Sequence, residues 1–327
     1  MRVVSVLLVG VVVSTVASLS NTKVVVLSRS RLDWDKKVDW SSLEASFADA
    51  LTREDIQNCV TEECQVLVTK ELRMDKETIE ALPKSVKMIC EAGTGYDNID
   101  GAAARARNID VCNVAGYSTE AVAQLVMTFI LSFASSFMEQ QRMLEKGDKS
   151  NFFEHLKVPT FELHGKNLGL IGGNGSIGKR VAEIAKCLGM TVLTYSRTSG
   201  DLDDLLAKSD FISLHCPLTP ATKGLIDKKT IAKMKPTAFI INTARGPIIN
   251  EADLIEALET FRIAGAALDV QSPEPPKPDS QLYTLPNVLL TPHIGWRPIE
   301  TRQRLIDLVA TNVNGFLAGG KPTNVVN

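Results

Sequence analysis

The stretch "KNLGLIGGNGSIGKRVAEIAKCLGMTVLTYSRTS", Lys166 to Ser199, decides how this chain of 327 residues folds. It opens on a short apolar run, "NLGLI", of strand length. It continues as "SIGKRVAEIAKCLG", with apolar residues at helical spacing, and returns to a β-rich run, "TVLTYS". Strand, glycine turn, helix and strand in this order form a βαβ unit whose strands pair in parallel. Gly173, Gly175 and Gly178 stand in G-x-G-x-x-G register, and Ser176 and Ile177 open the helix. The first glycine makes the tight turn, the second admits a pyrophosphate to the backbone, and the third lets helix and strand pack closely. Amides at the helix N-terminus then meet the phosphates. The stretch reads as a dinucleotide site, with Gly172 lengthening the turn by one residue.

The end of the second strand qualifies the nucleotide. An acidic residue there would hold the ribose hydroxyls of NAD and repel a 2′-phosphate. Ser196, Arg197 and Thr198 stand in its place. A guanidinium pairs with a phosphate and two hydroxyls add donors. NADP(H) is therefore the expected cofactor, with NAD(H) the alternative if Arg197 only faces solvent.

The same alternation continues on both sides. Upstream, "KVVVLS", "QVLVT", "VKMICEA" and "IDVCNV" read as strands, with helices expected around Ser41–Ala50, Asp75–Leu82 and Gly101–Arg107. Downstream come "DFISLHC", "AFIINTA", "IAGAALDV" and "NVLLTPH", with helices "DKKTIAKM" and "EADLIEALE". This pattern predicts the α/β class, with two Rossmann-like or flavodoxin-like parallel-sheet domains and a cleft between them. Ser118 to Gly147 reads as one helix of nearly thirty residues, crossing between domains or packing against a partner subunit. The amphipathic segment from Pro298 ends in "KPTNVVN", a tail able to rejoin the first sheet and make the first domain discontinuous. The expected domains are a substrate domain, 21–117 with 298–327, and a dinucleotide-binding domain, 118–297.

Composition agrees with two soluble domains, because single cores rarely grow past roughly 250–300 residues. The chain is 44% hydrophobic and 23% charged, with 36 basic against 38 acidic residues for a net charge of −2. No dense basic block interleaves with aromatics, which argues against a nucleic-acid partner. The six cysteines lack metal-site spacing and sit in part inside apolar runs, as buried free thiols of a reducing compartment would. Residues 1–20 resemble a targeting segment, since their apolar run from Val3 to Val13 is short for a membrane span of about 20 residues. Its destination stays open, and no further membrane span is expected.

Six segments carry a family resemblance: "AGTGYDNID", "NVAGYSTEAVAQL", "SLHCPLTPATKGLI", "INTARGPIINEADL", "AGAALDVQSPEPP" and "NVLLTPHIGW". In this order they resemble the D-isomer-specific 2-hydroxyacid dehydrogenase family from Lys23 to Asn327, most of all its glycerate dehydrogenase and hydroxypyruvate reductase branch. The resemblance implies NAD(P)H-dependent reduction of a small 2-keto acid, hydroxypyruvate or glyoxylate, by a homodimer. It implies that Arg245 holds the substrate carboxylate and carbonyl oxygen, and that Glu274 pairs with His293, the proton donor and acceptor. Thr94 and Gly95 would offer amides to the carboxylate, and Asp269 would bind the nicotinamide carboxamide. His215, Cys216, Pro217, Thr222, Thr243, Ala244 and His293 itself would border the cofactor.

Elementary chemistry supports these assignments. A hydride arriving on one face of a keto acid leaves an alkoxide that needs a proton, and histidine suits that transfer near neutral pH. An adjacent carboxylate orients the imidazole and stabilises its cation. Arginine suits bidentate carboxylate recognition. Each residue also has a plainer reading: Arg245 in a surface ion pair, Glu274 solvated in a Pro-rich loop, His293 capping a turn, and "GTGYDNID" a turn capped by Asp97 or Asn98. Trp296 fits either the substrate pocket or the domain hinge. His155 and His164 read as structural. Two other functions remain open: an NADH-linked dehydrogenase for another 2-keto acid, and a dinucleotide-sensing corepressor-like protein.

Overall fold

The runs rich in valine and isoleucine become parallel strands in two separate sheets. The computed structural model describes residues 22–327, so the targeting segment expected over 1–20 lies outside the described residues. The first sheet holds β1 (Val24–Val26), β2 (Ser46–Phe47), β3 (Val66–Thr69), β4 (Met88–Glu91) and β5 (Asp110–Cys112), in the order β2-β1-β3-β4-β5. The second holds β6 (Asn167–Ile171), β7 (Thr191–Tyr195), β8 (Phe211–Leu214), β9 (Phe239–Asn242), β10 (Gly265–Leu268) and β11 (Val288–Leu290), in the order β11-β10-β9-β8-β6-β7. Every pairing among them is parallel.

A parallel sheet is apolar on both faces and needs cover on both. The helix Ile299–Leu317 lays Leu305, Ile306, Val309 and Val313 on one face of the first sheet. Ile56, Ile79 and Ala104, from three short helices, cover the other. The chain end returns as expected: Val326 N donates to Val111 O at 2.9 Å, and Val325 bridges Cys112 in antiparallel fashion. The first domain is therefore discontinuous. The second sheet is covered on one face by the helices Thr119–Ala134 and Ser176–Cys187 and on the other by a cluster around Leu205, Leu254 and Leu258.

Two expected helices differ. The segment around Ser41–Ala50 contains β2, because Ala48 N donates to Val26 O and Trp40 packs edge-on against Phe47 with ring centroids 5.0 Å apart. Tertiary pairing overrides local helix preference there. The thirty-residue helix breaks into Thr119–Ala134 and Phe137–Glu145, bent by 65°. Ser136 adopts φ +46°, its hydroxyl donates to Pro159 O, and Phe161 N caps Ala134 O at 2.9 Å. The returning linker thus occupies the Ala134 carbonyl, which a continuous helix would have used.

The topology places the site. β7 and β8 lie on opposite sides of β6, so the turns leaving β6 and β8 diverge and open a crevice at the strands' carboxyl ends. Residues following β3 and β4 face it from the other sheet.

Candidate active site

A cavity of about 420 Å³ lies between the domains, bordered by the carboxyl ends of β3, β4, β8, β9 and β10. Arg245 follows β9. Asn242, buried at that strand's end, shapes the turn by accepting from Ala244 N at 3.0 Å and donating to Arg245 O at 2.9 Å. The guanidinium donates through Nε to Asp97 Oδ1 at 2.9 Å and through Nη1 to Ala244 O at 2.9 Å. Burial works against its charge, but Asp97 outweighs it and keeps the guanidinium ionised. A Cβ on Gly95 would lie 1.7 Å from Nη2, so only glycine admits this side chain against the loop after β4. The cleft is closed across these two residues, which leaves Nη2 and one N–H of Nη1 for a ligand.

His293 sits on a loop fixed by Asp269. The Asp269 carboxylate accepts from Thr291 Oγ1 at 2.5 Å, Ile294 N at 2.8 Å and Gly295 N at 2.9 Å, and His293 N donates to Asp269 O at 2.9 Å. These bonds hold His293 at φ +50°, a conformation non-glycine residues seldom adopt. Burial raises the Asp269 carboxyl above its usual range against the pull of those donors. Two bonds occupy Oδ1 and one occupies Oδ2, so Oδ2 keeps an acceptor position. The His293 Nδ1 lies 2.6 Å from Glu274 Oε1, fixing the ring with Nε2 free of that partner. Pairing therefore replaces the plainer readings of Glu274 as solvated and His293 as a turn cap.

Thr94, Gly95, Ile177, His215, Cys216, Pro217, Thr243, Ala244 and Asp269 join Arg245 and His293 around the cavity. Gly173 and Gly175 in the turn after β6, Ser176 and Gly178 in the helix it opens, and Ser196, Arg197 and Thr198 after β7 lie outside that lining. Gly172 explains the longer turn: it has φ +84°, its N donates to Tyr195 O, and a Cβ there would come 2.7 Å from Cys216 N. Thr222 does not face the cavity, because its hydroxyl donates to Pro217 O at 2.7 Å and accepts from Thr219 N. It shapes the loop. Asp100 caps the helix Gly101–Ala106, leaving Asp97 for Arg245 and Asn98 for Glu91. Trp296 lines the cavity and packs edge-on against Trp34, with ring centroids 6.3 Å apart.

The D-isomer-specific 2-hydroxyacid dehydrogenase, NAD-binding-domain model matches residues 127–295. The hydroxypyruvate reductase of Blautia hydrogenotrophica is 36% identical over 312 residues, 89% of this chain and 95% of that protein. The glycerate dehydrogenase of Methylorubrum extorquens is 36% identical over 313 residues, 93% of this chain and 98% of that protein. Among solved structures, a glyoxylate reductase from Paecilomyes thermophila aligns with a TM-score of 0.81 at 29% identity, covering 93% of this chain and 97% of that one. The chain belongs to the D-isomer-specific 2-hydroxyacid dehydrogenase family.

In this dehydrogenase, sequence reasoning missed Lys70, Glu71, Glu91 and Tyr117. Lys70, Glu71 and Tyr117 border the cavity, and Glu91 is buried behind it. A Lys-Glu pair directly after the buried run "QVLVT" was the available signal, since ligands gather at strand carboxyl ends.

Proposed function

We propose that this dehydrogenase reduces hydroxypyruvate or glyoxylate to D-glycerate or glycolate, with NADP(H) as the preferred cofactor. The observation that carries this reading is the convergence of Arg245 and the 2.6 Å His293–Glu274 pair on one cavity. Arg245 Nη2 holds the substrate carboxylate with the amides after β4. His293 Nε2 delivers the proton to the C2 oxygen, while Glu274 keeps Nδ1 protonated and the ring oriented.

The chain's residues fit a nicotinamide dinucleotide. A Cβ on Gly178 would lie 2.6 Å from Gly173 Cα, so helix and turn approach as closely as the motif requires. Thr243 Oγ1 is buried without a partner on the cavity wall, and Asp269 Oδ2 retains an acceptor position for a carboxamide. When bound, the reduced nicotinamide supplies the hydride. Arg197 is exposed at the end of β7 and makes no ion pair among the described residues. The next acid in the sequence, Asp201, caps the helix Leu202–Lys208. A free guanidinium flanked by Ser196 and Thr198 favours a 2′-phosphate.

Initial rates on the purified chain with hydroxypyruvate, glyoxylate and pyruvate, each with NADPH and NADH, test both parts. His293→Ala and Arg245→Ala should each lower kcat/KM by about 10² or more. Near-full kcat/KM in both variants sinks the reading, and NADH preference sinks its cofactor half. Two further expectations belong here. The exposed apolar side chains between Leu131 and Leu156 support a homodimer, and six unpaired cysteines fit a reducing compartment.

A further inference from the structure

Beyond His293 the cavity turns into a polar corner that the reduction itself does not require. Lys70 and Glu71 build it at the carboxyl end of β3. Lys70 is 3% exposed, with Nζ 2.8 Å from Glu71 Oε1 and 4.2 Å from the centroid of the Trp296 ring. A Cβ on Gly93 would come within 3.2 Å of that nitrogen. The ammonium is wedged between the substrate loop and an indole face. Burial works against its charge, and Tyr117, Glu71 and Glu91 more than restore it.

Glu71 is held as firmly. Its backbone sits at φ +55°, in the left-handed region that bulky residues avoid. Its amide donates to Glu91 Oε1 at 2.8 Å, and the buried Glu91 also accepts from Thr69 Oγ1 at 2.8 Å and Asn98 Nδ2 at 3.1 Å. Strain kept in place by its surroundings tends to cluster at functional sites. The Glu71 carboxylate lies with Oε1 3.9 Å from His293 Nε2 and with Oε2 3.4 Å from Arg31 Nη1. Burial pushes the carboxyl up, but Lys70 and His293 outweigh it and hold it at about 2, an anion at any working pH.

A fixed anion beside a site for anionic substrates is a liability unless it discriminates. We infer that Glu71, positioned by Lys70, reads the substituent on C3 of the substrate, accepting a hydrogen bond from a hydroxyl and repelling a second acidic group. The inference rests on the keto-acid reductase reading above. His293 Nε2 serves the oxygen on C2, so a substituent on the adjacent carbon falls within reach of the carboxylate 3.9 Å from that nitrogen. A C3 hydroxyl satisfies Glu71. A C3 methyl forms no such bond with the carboxylate, and a carboxylate or phosphate there meets like charge.

The experiment compares kcat/KM for hydroxypyruvate, pyruvate and oxaloacetate on the full chain, Glu71→Ala and Glu71→Gln. The parent should prefer hydroxypyruvate to pyruvate by roughly 10- to 100-fold, the range of a hydrogen bond to a charged group. Glu71→Ala should shrink that ratio about tenfold or more, mostly through KM. Glu71→Gln, which keeps an acceptor for Lys70 and so guards against misfolding, should raise oxaloacetate relative to pyruvate. If all three substrates fall together in both variants, Glu71 only positions Lys70 and His293, and the inference is overturned. A parent indifferent to the C3 hydroxyl overturns it too, while leaving keto-acid reduction intact. Failure to reduce any of the three with either nicotinamide overturns this inference, and failure with glyoxylate as well sinks the proposed function.

Discussion

The imidazole of His215 follows β8 with Nε2 3.0 Å from the Ser213 hydroxyl, and burial drops its pKa to about 4 from an ordinary value of 6.5. In the unfolded chain the same ring takes a proton near 6.5, so between those values the unfolded state binds more protons. Above pH 6.5 there is no penalty. As pH falls towards 4 the folded state loses up to about 2–3 kcal/mol from this residue alone. Asp269 and Glu91, whose carboxyls burial raises, act in the opposite sense, so the parent's curve mixes both signs. His215→Gln isolates the term, since glutamine keeps a polar partner for Ser213 without titrating. Melting temperatures from pH 7.5 to 4.5 should fall less steeply in the variant than in the parent. Parallel curves would mean that His215 takes up its proton as readily folded as unfolded.

Ser136, between two helical segments, shows what an element boundary depends on. At φ +46° its backbone suits glycine, is tolerable for serine with a bonded hydroxyl, and strains a β-branched residue. Ser136→Val should cost about 1–2 kcal/mol in denaturant unfolding, whereas Ser136→Gly should change stability little, trading the bond to Pro159 for backbone ease. Equal behaviour of the two variants would show that the bend is imposed by the linker alone. Nothing local in "SFASSFMEQ" announces the break, because its cause is the linker at Pro159 to Phe161, more than twenty residues away. β2 is hidden in the same way, being an alanine-rich segment pulled extended by pairing with β1. Buried strands such as β3 and β9 are legible because both faces are covered and their apolar runs are continuous. At the site, Arg245, Glu274 and His293 are legible because their motifs follow successive strands of one sheet. Lys70, Glu71 and Asp97 are not, since their meaning arises only when loops of the first sheet close onto the second.

At the scale of the molecule, closure and surface pull on the same helix pair. Thr119–Ala134 buries Val126, Phe129 and Ile130 against the second sheet and starts at the cleft, where Ser118 and Val122 line the cavity. Past the bend, cover runs out: no residue of Phe137–Glu145 is buried, while Phe137 is 54% exposed, Phe152 70% and Phe153 83%. Bulky apolar groups clustered over so short a length mark an interface more often than a free surface. Pairing of two copies there would shield them and, through the shared helix, steady one wall of each cleft. Light scattering on the purified chain should therefore give twice the chain mass of 35.6 kDa. Phe152→Glu with Phe153→Glu, placing charge in an apolar contact, should shift the mass towards that of one chain. The melting temperature of this variant should lose its dependence on protein concentration, because folding would no longer be linked to association. A parent that is monomeric at every concentration tested would leave these aromatics without a partner copy and remove the homodimer from the proposal.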